Sequence, residues 1–173
     1  MRVYPAYSMR RFGIAFFLIL VALFAAELTP PAQRWFVQPW TAGVALASTA
    51  LIKLFDAAVL VNGPTIQSLK TGFAVTILAG CNGVEAMIVL VAGMLAYPAP
   101  WKHRLAGLAA GIVAIQVLNL VRIASLFYIG QWDRDVFEWV HLYAWPVLIM
   151  VDALVVWLVW LRMLPIAARE APA

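Results

Sequence analysis

Charge is scarce in this chain of 173 residues: Asp, Glu, Lys and Arg together make up 12% of it, against about 25% in a soluble domain. Cysteine is scarcer still. Cys81 stands alone, so no intrachain disulfide can form in any redox compartment. Internal repeats and low-complexity segments are missing too, which weighs against a transporter built from repeated halves. The 12 Lys and Arg are scattered at the ends of apolar segments, so the net charge of +4 implies no nucleic-acid partner.

What is present is overwhelmingly apolar. The residues Ala, Val, Ile, Leu, Met, Phe, Trp, Tyr and Cys fill 65% of the chain, and the mean hydropathy is +0.93. A soluble fold of this length keeps too much of its surface wet to bury that much apolar area. Soluble enzymes, disordered tails and nucleic-acid-binding domains are excluded together. The composition is that of an integral membrane protein whose partner is the lipid bilayer.

Four stretches are long and apolar enough to span, at about 12–28, 77–97, 105–129 and 142–164. Pro98 and Pro100 stop the second, and Lys102, His103 and Arg104 begin the third. A fifth stretch, 41–61, is interrupted by Lys53 and Asp56, each costing about 2.5–3.5 kcal/mol near a helix centre. The basic residues set the sidedness. Arg2, Arg10, Arg11, Lys102, Arg104, Arg162 and Arg169 belong on the cytoplasmic side, and Arg34, Lys53, Lys70 and Arg134 outside. The connection 29–76 must then cross an even number of times, most simply zero. The stretch 41–61 is therefore expected to be an amphipathic helix lying in the outer interface. Asn62-Gly63-Pro64 is a turn signal, and 73–78 reads equally as a strand or a helix start. Despite Ala25-Ala26 after its apolar run, the first span reads as an uncleaved anchor. The expected fold is all-α: a single polytopic membrane domain over 1–173, with about four spans plus one interfacial helix, and five or six spans as the alternative.

Glu85, Arg122 and Asp152 fall inside spans, where desolvation makes an ionisable side chain a functional-site candidate. Cys81 and His141 sit near span ends. Measured along their helices, Cys81, Arg122 and His141 reach the same outer rim. A cysteine near a helix N-terminus and a cation has a lowered pKa and acts as a thiolate nucleophile. Gly80 and Gly83 flank Cys81-Asn82 and permit an unusual backbone with close substrate approach. His141 is suited to general base and acid work toward Cys81 and a leaving amine. Arg122 keeps its proton and can stabilise an oxyanion or hold a carboxylate. Glu85 follows Cys81 by one helical turn, on its face, as a partner for Arg122. Asn119 precedes Arg122 on one face and is placed to orient it, with Gln116 continuing the stripe. Asp152 shares the face of His141 about 16 Å deeper, as a structural hydrogen-bonding group. Trp35, Trp40, Trp132, Trp139 and Trp145 read as an interfacial belt.

Other readings compete with catalysis. Cys81 can be an inert packing residue and His141 an interfacial side chain. Glu85, Arg122 and Asp152 then form the buried polar network of a membrane scaffold or small transporter. A membrane acyltransferase or thioesterase uses the same Cys and His. Zinc suits Cys81, His141 and Glu85, but no ligand spacing supports a site, so neither metal nor cofactor is expected. Ser125 lacks the Gly-x-Ser-x-Gly surroundings of a serine nucleophile.

Three motifs together carry a family resemblance. Ala79-Gly80-Cys81-Asn82-Gly83-Val84-Glu85-Ala86-Met87, then Leu118-Asn119-Leu120-Val121-Arg122-Ile123, then His141 resemble the exosortase/archaeosortase family, most closely its short exosortase H type, over about 40–162. The resemblance implies a membrane-embedded cysteine transpeptidase or protease with Cys81, Arg122 and His141 catalytic. Asn82, Gly83, Glu85 and Asn119 support them. It further implies exported substrates with a C-terminal sorting tail: a short motif resembling Ile-Pro-Thr-Leu, a transmembrane helix and a basic cluster. Cleavage is expected at the outer face of the bacterial cytoplasmic (inner) membrane, through a Cys81 thioester released to water or to an amine acceptor on the cell surface. The accessory helices of eight-span exosortases are not expected here.

Overall fold

The computed structural model describes residues 9–164. Its helices begin and end where local chemistry directs. Helix α1 (Met9–Glu27) is an apolar run after Arg10 and Arg11, closed by Glu27. Pro30 and Pro31 occupy the first turn of α2 (Pro30–Ala32), where a missing N–H costs nothing. A π-helical turn, Gln33–Val37, leads into α3 (Gln38–Lys53), and a second, Val140–Ala144, joins α6 (Arg134–Trp139) to α7 (Trp145–Met163). Both wide turns sit just before a proline, Pro39 and Pro146. Proline cannot continue the i to i−4 ladder, and the π-turn absorbs the interruption without breaking the rod. Between them lie β1 (Val59–Asn62), β2 (Thr65–Ser68), β3 (Ala74–Thr76), α4 (Val84–Ala96) and α5 (Trp101–Trp132).

Three helical segments are long and apolar enough to cross a membrane: Met9–Glu27, Trp101–Trp132 and the combined Arg134–Met163. The shorter α4 is the innermost helix, packed by α1, α5 and α7. Its Leu90 and Met94 are buried, and they join Val84, Met87, Ile115, Ile149 and Trp160 in one core. Glycines let these helices approach closely: Gly107 lies against Trp160, Gly93 against Trp157, and Gly111 against Leu90 and Val156. Outward-facing Phe17, Leu18, Val113, Val117, Val151 and Leu158 are exposed, as a lipid-facing surface requires. The all-α polytopic membrane bundle read from composition is the fold observed.

A second core lies beyond the first. Val44, Ala45 and Ile52 of α3 pack with Val59 and Ile66 of the sheet and Phe127 of α5. The sheet is a small antiparallel meander, β1-β2-β3, with Asn62 opposite Thr65 across a tight turn at Gly63-Pro64. Asp56 anchors the entry to β1. Its carboxylate accepts from the Ala58 N–H and pairs with Lys70 at 2.8 Å, and these contacts hold its pKa below the usual range.

Several boundaries differ from the sequence expectation. The helix assigned to 41–61 begins at Gln38, ends at Lys53, and gives way to β1. It also stands beside α5 instead of lying across it. Trp40 and Gln116 both donate to the Asn82 carbonyl, which puts them at one level, and the Tyr128 hydroxyl donates to the Ile52 carbonyl. Residues 40–52 and 116–128 thus rise together, about 18 Å each. The ambiguous 73–78 contains β3. The span expected from 77 becomes helical only at Val84, because Gly80 and Gly83 hold φ of +84° and +79°. Trp145 is buried, so it does not join the exposed Trp35, Trp132 and Trp139 as a belt residue. Arg2 and Arg169 lie outside the described residues.

One end of the bundle collects Arg10, Arg11, Lys102, Arg104 and Arg162. There Phe12 stacks on Trp157, Arg104 donates to the Tyr97 carbonyl and Trp160 donates to that of His103. From this end α1 measures about 28 Å, Trp101 to Arg122 about 32 Å, and Trp160 to His141 about 28 Å at 1.5 Å per residue. Each is close to the roughly 30 Å of a bilayer's hydrocarbon core. Arg122 and His141 therefore lie about one hydrocarbon thickness from this end, with the sheet, the second half of α3 and the last turns of α5 farther still.

Candidate active site

Cys81 sits in the loop between β3 and α4. Its N–H donates to the Leu78 carbonyl at 3.0 Å, closing a turn whose third residue is Gly80 at positive φ, the requirement of a type II turn. Glu85, in the first turn of α4, reaches back to accept the Gly80 N–H at 2.5 Å. Arg122 grips the next peptide, on the other side of Gly80. Its Nη1 donates to the Gly80 carbonyl at 3.3 Å and its Nη2 to the Cys81 sulfur at 3.5 Å. Glu85 and Arg122 thus clamp one loop between them, where a direct ion pair was expected.

His141 occupies the π-turn beside α6. Its Nε2 lies 4.0 Å from the Cys81 sulfur, and its ring stacks on Phe137 with centroids 5.6 Å apart. The wide turn sets where this ring emerges. Sulfur, guanidinium and imidazole therefore meet across a cleft of about 20 Å³, walled by Val75, Thr76, Ile77, Ile123 and Leu126. Arg122 is only 4% exposed, and its Nε has no hydrogen-bond partner among the described residues. A buried cation with a spare donor makes the cleft strongly electropositive.

Burial pushes the Cys81 thiol above its ordinary pKa; Arg122 opposes this and Glu85 adds to it. The lowered pKa expected from a helix start and a cation is not found, because desolvation of the half-buried thiol outweighs the favourable charge of Arg122.

Asn82 is fully buried and ties three helices together beside the cysteine. Its Nδ2 donates to Thr41 Oγ1 at 3.0 Å, its Oδ1 accepts the Val84 N–H at 3.0 Å, and its carbonyl accepts from Trp40 and Gln116. Gly83 caps α4 in the left-handed conformation with Gln116 and Asn119 directly against it. Asn119 is buried but does not bond Arg122; its side chain has no partner among the described residues. Asp152 lies apart from the site, and its Oδ2 is likewise unpartnered among the described residues, against the structural bond expected of it. Trp40 and Thr41 were missed from the sequence as parts of this site. No local signal marks them, since both act through a contact some forty residues away.

The fold and this cluster define a polytopic membrane protein with a cysteine, an arginine and a histidine gathered in one cleft. The family model for transmembrane exosortases (Exosortase_EpsH) matches residues 3–159, and the chain belongs to that family. Membership gives it a membrane transpeptidase-type function. No curated protein and no solved structure matches.

Proposed function

We infer that this chain is a cysteine peptidase or transpeptidase that cleaves the C-terminal sorting tail of exported proteins. It works at the outer face of the bacterial cytoplasmic membrane, where the positive-inside rule puts the basic bundle end in the cytoplasm and the cleft outside. The observation that carries the reading is the cleft itself: Sγ within 3.5 Å of Arg122 and 4.0 Å of His141, one bilayer thickness from that end.

The chemistry follows from the three groups. His141 Nε2 takes the thiol proton as sulfur attacks the peptide carbonyl, so no preformed thiolate is needed. Contacts of this kind tighten when substrate fills the cleft. Negative charge develops on the carbonyl oxygen beside Arg122, which is already desolvated and needs little reorganisation. His141 returns its proton to the departing amine, leaving a Cys81 thioester and the freed membrane tail. Water or an acceptor amine then attacks the thioester, and the sulfur recovers a proton through His141. Glu85 and Asn82 are positioning residues that hold the loop on either side of Cys81. Gly83 and Asn119 support the start of α4.

The test is cleavage of a tail-bearing reporter coexpressed with the enzyme. Cys81→Ala and Arg122→Ala variants that reach the membrane in normal amount are expected to leave the reporter intact. Undiminished cleavage by either overturns the assignment.

A further inference from the structure

One side of β3 is unused. The strand order makes β3 an edge strand. The Ser68 N–H donates to the Phe73 carbonyl at 2.8 Å and the Ile77 N–H to the Pro64 carbonyl at 2.9 Å, with Val75 opposite Ile66 between them. Bonding residues alternate along an antiparallel ladder. Phe73, Val75 and Ile77 therefore aim their main-chain groups at β2, while Ala74 and Thr76 aim theirs away. Neither makes a further main-chain bond among the described residues, and both are exposed. Folded proteins normally blunt such an edge with lysine, proline or a bulge. The run Ala74-Val75-Thr76-Ile77-Leu78 contains no lysine and no proline.

The edge leads into the active site. Past Thr76 the chain enters the turn that folds Cys81 back onto Leu78. Val75, Thr76 and Ile77 line the same cleft as Cys81, Arg122 and His141. A strand laid on Ala74 and Thr76 needs about two more residues, some 7 Å, to come level with Leu78 beside the sulfur. The direction of β3 matters as well. Phe73 packs against Gly130 near the far end of α5, whereas Cys81 meets Arg122 about 12 Å closer to the membrane. The strand descends toward the bilayer, as does any exported chain whose anchor helix follows its cleavage motif.

We propose that the extended recognition segment of the sorting tail binds as a fourth, parallel strand on the free edge of β3, bonded to the main chain of Ala74 and Thr76, and that this pairing delivers the scissile carbonyl to Cys81. The proposal rests on the peptidase reading above. In a parallel ladder the N–H and C=O of Thr76 bond the substrate residues on either side of the one opposite it. The substrate N–H groups that face β3 then recur at every second residue, and side chains at the intervening angles carry sequence selection.

The test uses the full-length enzyme in lipid nanodiscs and a synthetic tail peptide: Ile-Pro-Thr-Leu with upstream flanking residues, an Ala/Leu membrane helix and a terminal Arg cluster. Cleavage of the parent peptide is mapped by mass spectrometry. Backbone N-methyl groups are then placed singly at successive non-proline residues upstream of the cleaved bond. Positions facing β3 are expected to lose about tenfold or more in kcat/KM, and positions between them less than about threefold, in strict alternation. A cleaved parent whose N-methyl variants show no alternation overturns the strand pairing and leaves the peptidase reading standing. A parent that is never cleaved overturns both.

Discussion

Replacing Asn82 with alanine is expected to destabilise the protein by about 2–6 kcal/mol and to cost at least about tenfold in cleavage. The figure is built from the two side-chain bonds lost, to Thr41 and from the Val84 N–H, both buried at 3.0 Å. Each contributes about 0.5–1.5 kcal/mol net, and the orphaned Val84 N–H adds about 1–3 kcal/mol for an unsatisfied buried donor. Activity falls with stability because the Asn82 peptide is bonded directly to Cys81. Unfolding is followed by tryptophan fluorescence as SDS is titrated into mixed micelles. Combining Asn82→Ala with Thr41→Val in a double-mutant cycle isolates the Asn82–Thr41 bond, with an expected coupling of about 1 kcal/mol. A loss below about 0.5 kcal/mol with zero coupling refutes the reasoning, since a fully buried amide cannot be removed that cheaply if these bonds exist.

Three further outcomes follow from the same geometry. Alkylation of Cys81, the chain's sole thiol, should rise with pH through a midpoint above the ordinary cysteine value. In Arg122→Gln the midpoint should climb further, because the guanidinium favours the thiolate; a midpoint below the ordinary value in the wild type contradicts the burial argument. Gly83→Ala should cost about 2–3 kcal/mol, from a left-handed φ and a Cβ placed 2.5 Å from Gln116 Nε2. Gly43→Ala, where a Cβ meets nothing within 4 Å, should be neutral or stabilising in the same SDS titration. Glu85→Gln keeps an acceptor for the Gly80 N–H and should retain most cleavage, whereas Glu85→Ala frees the loop and should lower kcat more than it raises KM. Equal rates for the two Glu85 variants would remove its positioning role.

Membrane insertion, the helical class and the candidate trio were legible without coordinates, each for a physical reason. A composition of 65% apolar residues has no soluble solution at this length, and charged groups inside apolar runs are too costly to be incidental. The depth comparison among Cys81, Arg122 and His141 needs only the helical rise, which is why three distant residues could be assigned to one rim. Local pattern misled where glycine and proline acted. An apolar run from 77 looks like a helix, yet Gly80 and Gly83 bend it into a loop, and burial of the Cys81 thiol reverses the expected sign of its pKa shift. The Asn62-Gly63-Pro64 turn was visible, but the hairpin around it was not, because Val59–Asn62 continues an apolar stretch. Only the tertiary structure decided which groups share the cysteine: Trp40, Thr41 and Gln116 converge on Asn82, and Glu85 holds the N–H of Gly80 while Arg122 holds its carbonyl. These contacts join residues far apart in the chain, and no periodicity records which faces will meet once α3, α4 and α5 are packed.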